Sequence, residues 1–121
     1  MPALKPKDLV NAATKALDDG KATDIKVLDV RKLTSMADYM VIATGRSSRQ
    51  VKALTDHVVE AARELKQKPL GVEGEQAAEW ILIDLGDVIV HVMQAETRAF
   101  YQLEKLWAPP PRARKAAAAA E

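Results

Sequence analysis

The sequence contains no cysteine. Disulfide bonds, thiolate nucleophiles and cysteine-ligated zinc sites are therefore excluded. The two histidines cannot by themselves form an ordinary structural metal site. Aromatic residues are scarce too, at 4% of 121 positions, so the core must be built from aliphatic side chains.

An excess of charge of either sign is also missing. Lys and Arg number 18 against 17 Asp and Glu, a formal net charge of +1. A dedicated nucleic-acid binder usually carries a strong basic excess, so we expect no DNA partner and at most peripheral contact with RNA. No apolar run approaches the roughly 18 residues that span a bilayer, and the first ten residues lack the pattern of a signal peptide. These absences predict a cytoplasmic protein without a membrane partner.

The length predicts one domain, because one domain commonly has about 100–150 residues. The composition of the last residues predicts a tail after it. Residues 108–121 read APPPRARKAAAAAE, which has no apolar periodicity and predicts a disordered, Pro/Ala-rich basic extension. That tail carries three basic residues and one acidic residue, a charge of +2, which leaves −1 on residues 1–107. We expect residues 1–107 to form the domain, and the tail to be a solvated extension rather than an RNA contact.

Apolar periodicity of about 3.6 residues predicts three helices. The first covers residues 6–19, between Pro6 and a stop at Gly20. The second begins after Ser47, which with Gln50 forms a capping box, and continues through residues 66–68 until Pro69 ends it. The third covers residues 94–107 and places Phe100, Leu103 and Trp107 on one stripe.

Strands are predicted over residues 24–30 and 38–44, and residues 70–72 form either a short strand or part of an acidic loop. The strongest local signal is a pair of apolar runs, 80–85 and 88–93, joined by Gly86-Asp87 as in a tight β-hairpin. Because helices alternate with strand pairs, we expect an α/β (α+β) single domain, with one mixed sheet and flanking helices.

The two-residue turn fixes the hairpin register, so that Leu85 opposes Val88 and Trp80 opposes Met93. One face then carries only aliphatic side chains and must be a core face: Ile81, Ile83, Leu85, Val88, Val90 and Val92. The other face carries Trp80, Leu82, Asp84, Ile89, His91 and Met93. Tryptophan and methionine with few charges are typical of an interface centre. The alternative is that a helix covers this face and that His91 is a hydrogen-bonded core residue.

The stretch Thr44–Ser48 lies between a strand and a helix N-terminus, where a phosphate can bind. It suggests one alternative function, a small nucleotidyltransferase-like enzyme that binds a nucleotide at Gly45–Ser48. Such enzymes need paired carboxylates on a following strand to hold metal ions, and no such pair follows here. We therefore favour a helix cap, and expect no enzymatic activity, no cofactor and no metal.

Six stretches occur in the order found in a known family: DIKVLDV (24–30), DYMVIATGRSS (38–48), DHVV (56–59), PLGVEGE (69–75), WILIDLGDVIVHVMQ (80–94) and LEKLW (103–107). With them the chain resembles the ribosomal silencing factor family, also called RsfS or Iojap-like. The stretches run through nearly all of residues 5–107, and only the tail departs from the family pattern.

The resemblance implies a ribosome silencing factor and translation repressor. Members bind the large ribosomal subunit through its ribosomal protein number fourteen and sterically block joining of the small subunit, so translation falls under starvation or in stationary phase. The resemblance also implies a nucleotidyltransferase-like topology without the catalytic carboxylates, and a homodimer when the protein is free.

Carried onto this sequence, the resemblance implies a partner-binding surface centred on the hairpin. The residues implied there are Trp80, Leu82, Asp87, His91 and Met93. Gly71, Glu73 and Gly74 form an adjacent loop, in which Glu73 meets a basic partner surface. In the third helix Arg98, Tyr101 and Glu104 either orient the hairpin or touch the partner.

Overall fold

The computed structural model describes residues 5–103 and 105. Within them the elements follow in the order α1 (Pro6–Asp19), β1 (Thr23–Asp29), β2 (Tyr39–Gly45), α2 (Ser48–Glu64), β3 (Gly71–Glu73), β4 (Trp80–Asp84), β5 (Val88–Gln94) and α3 (Ala95–Tyr101). The predicted tail, Trp107 and Glu104 lie outside the described residues. No helix in the described part of the chain has the length and apolarity needed to cross a membrane.

The strands form one five-stranded sheet in the order β1-β2-β5-β4-β3. Strands β2 and β5 are parallel, and the other neighbouring pairs are antiparallel. The predicted single mixed sheet is therefore confirmed. The short strand that the sequence left open exists as β3, at the sheet edge beside β4.

The hairpin has the predicted register, with Trp80 opposite Met93 and Asp84 opposite Ile89. The backbone N–H of Leu85 donates to the carbonyl of Val88 at 2.9 Å and closes the turn. Gly86 has a φ of +94°, which an L side chain rarely adopts, so glycine suits the first turn position.

Helices α1 and α2 pack on one face of the sheet and form the main core with it. Leu17 and Leu54 from the helices and Ile83 from β4 are almost completely buried there. The six aliphatic residues predicted for the core face of the hairpin all belong to this cluster. A Cβ on Gly45 would lie 2.8 Å from Val51 Cγ2, so glycine lets α2 start close to the sheet.

The opposite face of the sheet has a smaller core, with Val30, Ala37, Met40, Ile42, Met93 and Leu103 buried. Helix α3 has only seven residues and lies beside β2 and β5. We define the open sheet face by a set of strand side chains on this side, apolar apart from one histidine. They are Leu28, Met40, Ile42, Trp80, Leu82, Ile89, His91 and Met93. The core interpretation fits the buried part of this face, and the interface interpretation stays a prediction for the part that is accessible.

Two predicted helices differ from the structure near their C-terminal ends. Helix α2 ends at Glu64 rather than near Pro69, because the chain turns at Lys66, whose φ is +66°. The third predicted helix is interrupted: α3 ends at Tyr101 because Gln102 is left-handed, with a φ of 48°, whereas Leu103 and Lys105 are again helical and the predicted end at residue 107 lies outside the described residues. Leu103 is consequently buried against the sheet, whereas Phe100 is 80% exposed and does not share a buried stripe with it.

Candidate functional site

Part of the open sheet face remains accessible. Trp80, Leu82 and Ile89 are each partly exposed, and Trp80 and Ile89 also pack against the smaller core. A solvated strand face is usually rich in charged and hydroxyl side chains. This accessible apolar part is instead typical of a surface that meets a partner.

Trp80 is held from two sides. Its indole Nε1 donates a hydrogen bond to Nδ1 of His91 at 2.9 Å. The ring of Tyr101 packs against the indole with centroids 5.0 Å apart and planes tilted by 51°. The indole is thus fixed between β5 and α3.

His91 lies beneath Trp80 and is only 4% exposed. Burial lowers the pKa of His91 from 6.5 to about 4, since the charged imidazolium loses its hydration. The imidazole is therefore neutral near pH 7. It belongs to the smaller core's side of the sheet, as the core alternative predicted, and it is hydrogen-bonded there.

Aromatic side chains extend from Trp80 towards solvent. Tyr101 contacts Trp80, and Phe100 contacts Tyr101 edge-on with centroids 4.9 Å apart. Tyr101 is 53% and Phe100 80% exposed. Phe100 was missed as a candidate because the predicted unbroken third helix places it on a buried stripe. No signal in the sequence indicates the break at Gln102.

The residues Gly71 and Glu73 belong to β3 rather than to a loop. Glu73 is exposed and pairs with Leu82, which brings a carboxylate beside the accessible apolar part of the face. Gly74 follows with a φ of +91°, and a Cβ there would overlap the backbone carbonyl of Trp80. Gly74 therefore lies next to Trp80, and Glu73 next to Leu82.

Met93 and Arg98 do not fit a direct contact with a partner, which corrects the expectation for both. Met93 is 0% exposed inside the smaller core. Arg98 is 5% exposed, and its Nη1 donates to the carbonyl of Asp24 at 2.6 Å and to Oγ1 of Thr44 at 2.8 Å. Arg98 ties α3 to β1 and β2, whereas the sequence left open whether it orients the hairpin or touches the partner.

Asp87 is exposed in the hairpin turn, but the structure does not bring it near Trp80. The two residues lie at opposite ends of the hairpin, more than about 15 Å apart at roughly 3.4 Å per strand residue. The carbonyl of Asp87 accepts from the backbone N–H groups of Asp38 and Tyr39, at 2.7 and 3.1 Å. Its backbone therefore anchors the start of β2.

The turn at Gly45–Ser48 is a helix cap. Ser47 Oγ accepts from the Gln50 N–H at 3.1 Å, and Gln50 Oε1 accepts from the Arg46 N–H at 2.6 Å. Gln50 Nε2 also donates to the carbonyls of Gly20 and Lys21. Two N–H groups that a phosphate would need are thus already bonded within the chain. No cluster of three or more His, Asp or Glu able to hold a metal occurs in the described residues.

Comparison with known proteins identifies the family. The family model described as "Ribosomal silencing factor during starvation" matches residues 3–121. The chain belongs to the ribosomal silencing factor family. The ribosomal silencing factor RsfS of Haemophilus influenzae is 47% identical over 100 residues, which cover 83% of this chain and 98% of that protein.

Other matches extend the family beyond this relative. A mouse protein named "Mitochondrial assembly of ribosomal large subunit protein 1" is 37% identical over 89 residues, covering 71% of this chain and 39% of the mouse protein. A crystal structure from Chromobacterium violaceum shares 42% identity and superposes with a TM-score of 0.85, covering 89% of this chain and 91% of that one. The family resemblance and the α+β fold expected from the sequence are confirmed.

Proposed function

We propose that this ribosomal silencing factor family member binds the large ribosomal subunit through ribosomal protein number fourteen. By occupying that surface it blocks joining of the small subunit, and translation falls during starvation or in stationary phase. The family description supports silencing during starvation, and the name of the mouse relative supports a link with the large subunit.

The observation that carries the proposal is the accessible, apolar part of the open sheet face. Trp80 and Leu82 are partly exposed there, and Tyr101 extends the apolar surface from α3. A large apolar side chain contributes roughly 1.5–3 kcal/mol when it is fully buried. Aromatic residues near the centre of an interface commonly dominate the binding energy. These side chains therefore make a suitable anchor.

The charges beside this surface suit a basic partner. Glu73 is opposite Leu82, and Asp84 is opposite Ile89, so both carboxylates border the apolar residues. Ribosomal proteins commonly present basic surfaces, and opposite charges at a rim speed association and select the partner. The charge of −1 on residues 1–107 agrees with this complementarity.

Blocking by occupancy needs affinity and bulk but no catalysis. A domain of about 100 residues has a radius of gyration near 13 Å, which corresponds to a body about 30 Å across. Bound on the joining face of the large subunit, such a body holds the small subunit away. We accordingly propose a cytoplasmic, non-enzymatic repressor, and a free homodimer that covers the same apolar surface.

Sedimentation with separated ribosomal subunits tests the proposal. We expect the chain to co-sediment with large subunits, to bind isolated ribosomal protein number fourteen, and to lower the fraction of joined ribosomes when small subunits are added. We expect Trp80→Ala to weaken binding at least about thirtyfold, since removal of a central aromatic anchor costs about 2 kcal/mol or more.

Two further variants make this experiment decisive. Leu82→Ala removes a partly exposed residue that belongs to neither core cluster, so it tests the same surface if Trp80→Ala fails to fold. Val27→Ala is the matched control, because Val27 is 44% exposed and points to the opposite side of the edge strand β1. Wild-type affinity in a folded Trp80→Ala or Leu82→Ala variant contradicts the proposed surface.

A further inference from the structure

His91 is the unusual residue beneath the candidate surface. Its strand neighbours on the open sheet face are apolar: Ile42 on β2 and Leu82 on β4 lie directly opposite it. The imidazole is 4% exposed, so it offers almost no area to a partner. Its Nδ1 nevertheless accepts the hydrogen bond from Trp80 Nε1 at 2.9 Å.

This hydrogen bond fixes the tautomer of the imidazole. An indole nitrogen only donates, so Nδ1 must be unprotonated and Nε2 must carry the proton. Nε2 is buried and has no hydrogen-bond partner among the described residues. A buried donor without a partner destabilises the folded state. An aliphatic residue at position 91 would avoid that cost but would leave the Trp80 N–H without its acceptor, so the hydrogen bond to Trp80 is what the histidine provides here.

The position of Trp80 is fixed by backbone hydrogen bonds and a ring contact, whereas the rotation of its indole ring depends on His91. Gln94 donates through its backbone N–H to the carbonyl of Glu79 and through Nε2 to that of Ala78, which fixes the chain just before Trp80. Tyr101 contacts one side of the indole. The hydrogen bond to His91 then sets the rotation of the indole ring.

We propose that His91 is a positioning residue, which holds the Trp80 indole in one orientation for binding and does not itself touch the partner. Fixing a binding group beforehand raises affinity, because less conformational freedom is lost on association. The indole N–H is already satisfied by His91, so the partner meets the ring of Trp80 rather than its N–H. The effect on affinity rests on the proposed function, whereas the positioning of Trp80 does not.

Hydrogen exchange of the indole N–H measures the positioning directly. In ¹⁵N-labelled protein, with the two tryptophan signals assigned by Trp107→Phe, we expect the Trp80 N–H to exchange slowly. Slow exchange should be lost in His91→Leu and kept in His91→Asn, whose Oδ1 provides an acceptor near the place of Nδ1. His57→Asn, at the exposed second histidine, is the matched control and should resemble the wild type. Equal exchange in wild type and His91→Leu overturns the proposal.

A measurement on the unmodified chain covers the case in which His91→Leu does not fold. A long-range ¹H–¹⁵N spectrum reports the imidazole tautomer, and we expect the proton on Nε2 of His91. A proton on Nδ1 overturns the proposal, because that nitrogen could not then accept from Trp80.

Sedimentation with purified large ribosomal subunits gives the binding result. We expect His91→Leu to weaken binding by about five- to tenfold, the upper range of one hydrogen bond, and His91→Asn to stay within about threefold of wild type. Full affinity in His91→Leu overturns the positioning role. If the wild type itself does not bind, the proposed function fails, while hydrogen exchange still decides whether His91 orients Trp80.

Discussion

Gly71 and Gly74 lie three residues apart, and their surroundings differ: Gly74 lies against Trp80, whereas Gly71 pairs with Asp84 at the other end of β4. A Cβ on Gly71 would meet no atom within 4 Å, whereas one on Gly74 would overlap the Trp80 carbonyl at a φ of +91°. We expect Gly74→Ala to lower the free energy of unfolding by roughly 3 kcal/mol, through backbone strain and overlap. The matched variant Gly71→Ala should stay within about 0.5 kcal/mol of wild type. Urea unfolding measures both, and equal stabilities contradict the role assigned to Gly74.

The buried imidazole of His91 predicts a loss of stability in acid. Burial lowers the pKa of His91 from 6.5 to about 4, so between these values the unfolded chain binds the proton and the folded chain does not. The free energy of unfolding therefore falls as the pH drops through this window, at up to about 1.4 kcal/mol per pH unit and about 3 kcal/mol in all. Above the window His91 contributes no pH dependence.

Urea unfolding at several pH values between about 7 and 4 tests this linkage. Other groups also titrate in this range, so the comparison is between the wild type and His91→Asn, which lacks the titrating ring. We expect the wild type to lose more stability towards acid than the variant does. Parallel curves for the two proteins contradict the shift.

At the scale of the elements, the sequence predicted those features that depend on residues close together in the chain, such as turns, helix caps and hairpin register. The Gly86-Asp87 turn fixes the hairpin register, because side chains alternate along each strand and a two-residue loop permits one pairing. The cap at Ser47 and Gln50 likewise follows from residues close in sequence. The approximate bounds of α1, β1 and β2 followed from apolar periodicity for the same reason.

The errors concern features that distant residues decide. The left-handed Gln102 ends α3 where Leu103 packs on Met40 and Ile42, and neither contact is visible in the local sequence. Arg98 was expected to orient the hairpin or touch a partner, but its acceptors are Asp24 and Thr44, which are distant from it in sequence. Both cases show tertiary contacts overriding a local helical pattern.

The candidate surface was predictable in its strand residues and less so beyond them. Alternation placed Trp80 and Leu82 on the face opposite the core, and the structure leaves both partly exposed. Alternation does not show how deeply a side chain is buried. Met93 was therefore grouped with Trp80 and Leu82, although it is buried in the smaller core together with Leu103. Which end of a strand is covered depends on where the following helix packs.

At the scale of the whole molecule, the sheet has one face covered by two helices and one covered only in part. Helices α1 and α2 supply the stable core on the first face. The second face can therefore keep Trp80, Leu82 and Tyr101 accessible without exposing the main core. The main core and the candidate binding surface are therefore on opposite faces of the sheet.

The distribution of charge along the chain leads to the last prediction. Residues 108–121 carry a charge of +2, while residues 1–107 carry −1, so the tail is the basic segment that would attract RNA. If the open sheet face carries the binding, deleting residues 108–121 should change the affinity for large subunits by less than about threefold, equivalent to about 0.7 kcal/mol. Replacing Arg112, Arg114 and Lys115 with alanine removes the charge at unchanged length and should behave in the same way. A loss of binding in both variants, together with a steep dependence of wild-type binding on salt, would instead indicate phosphate contacts made by the tail.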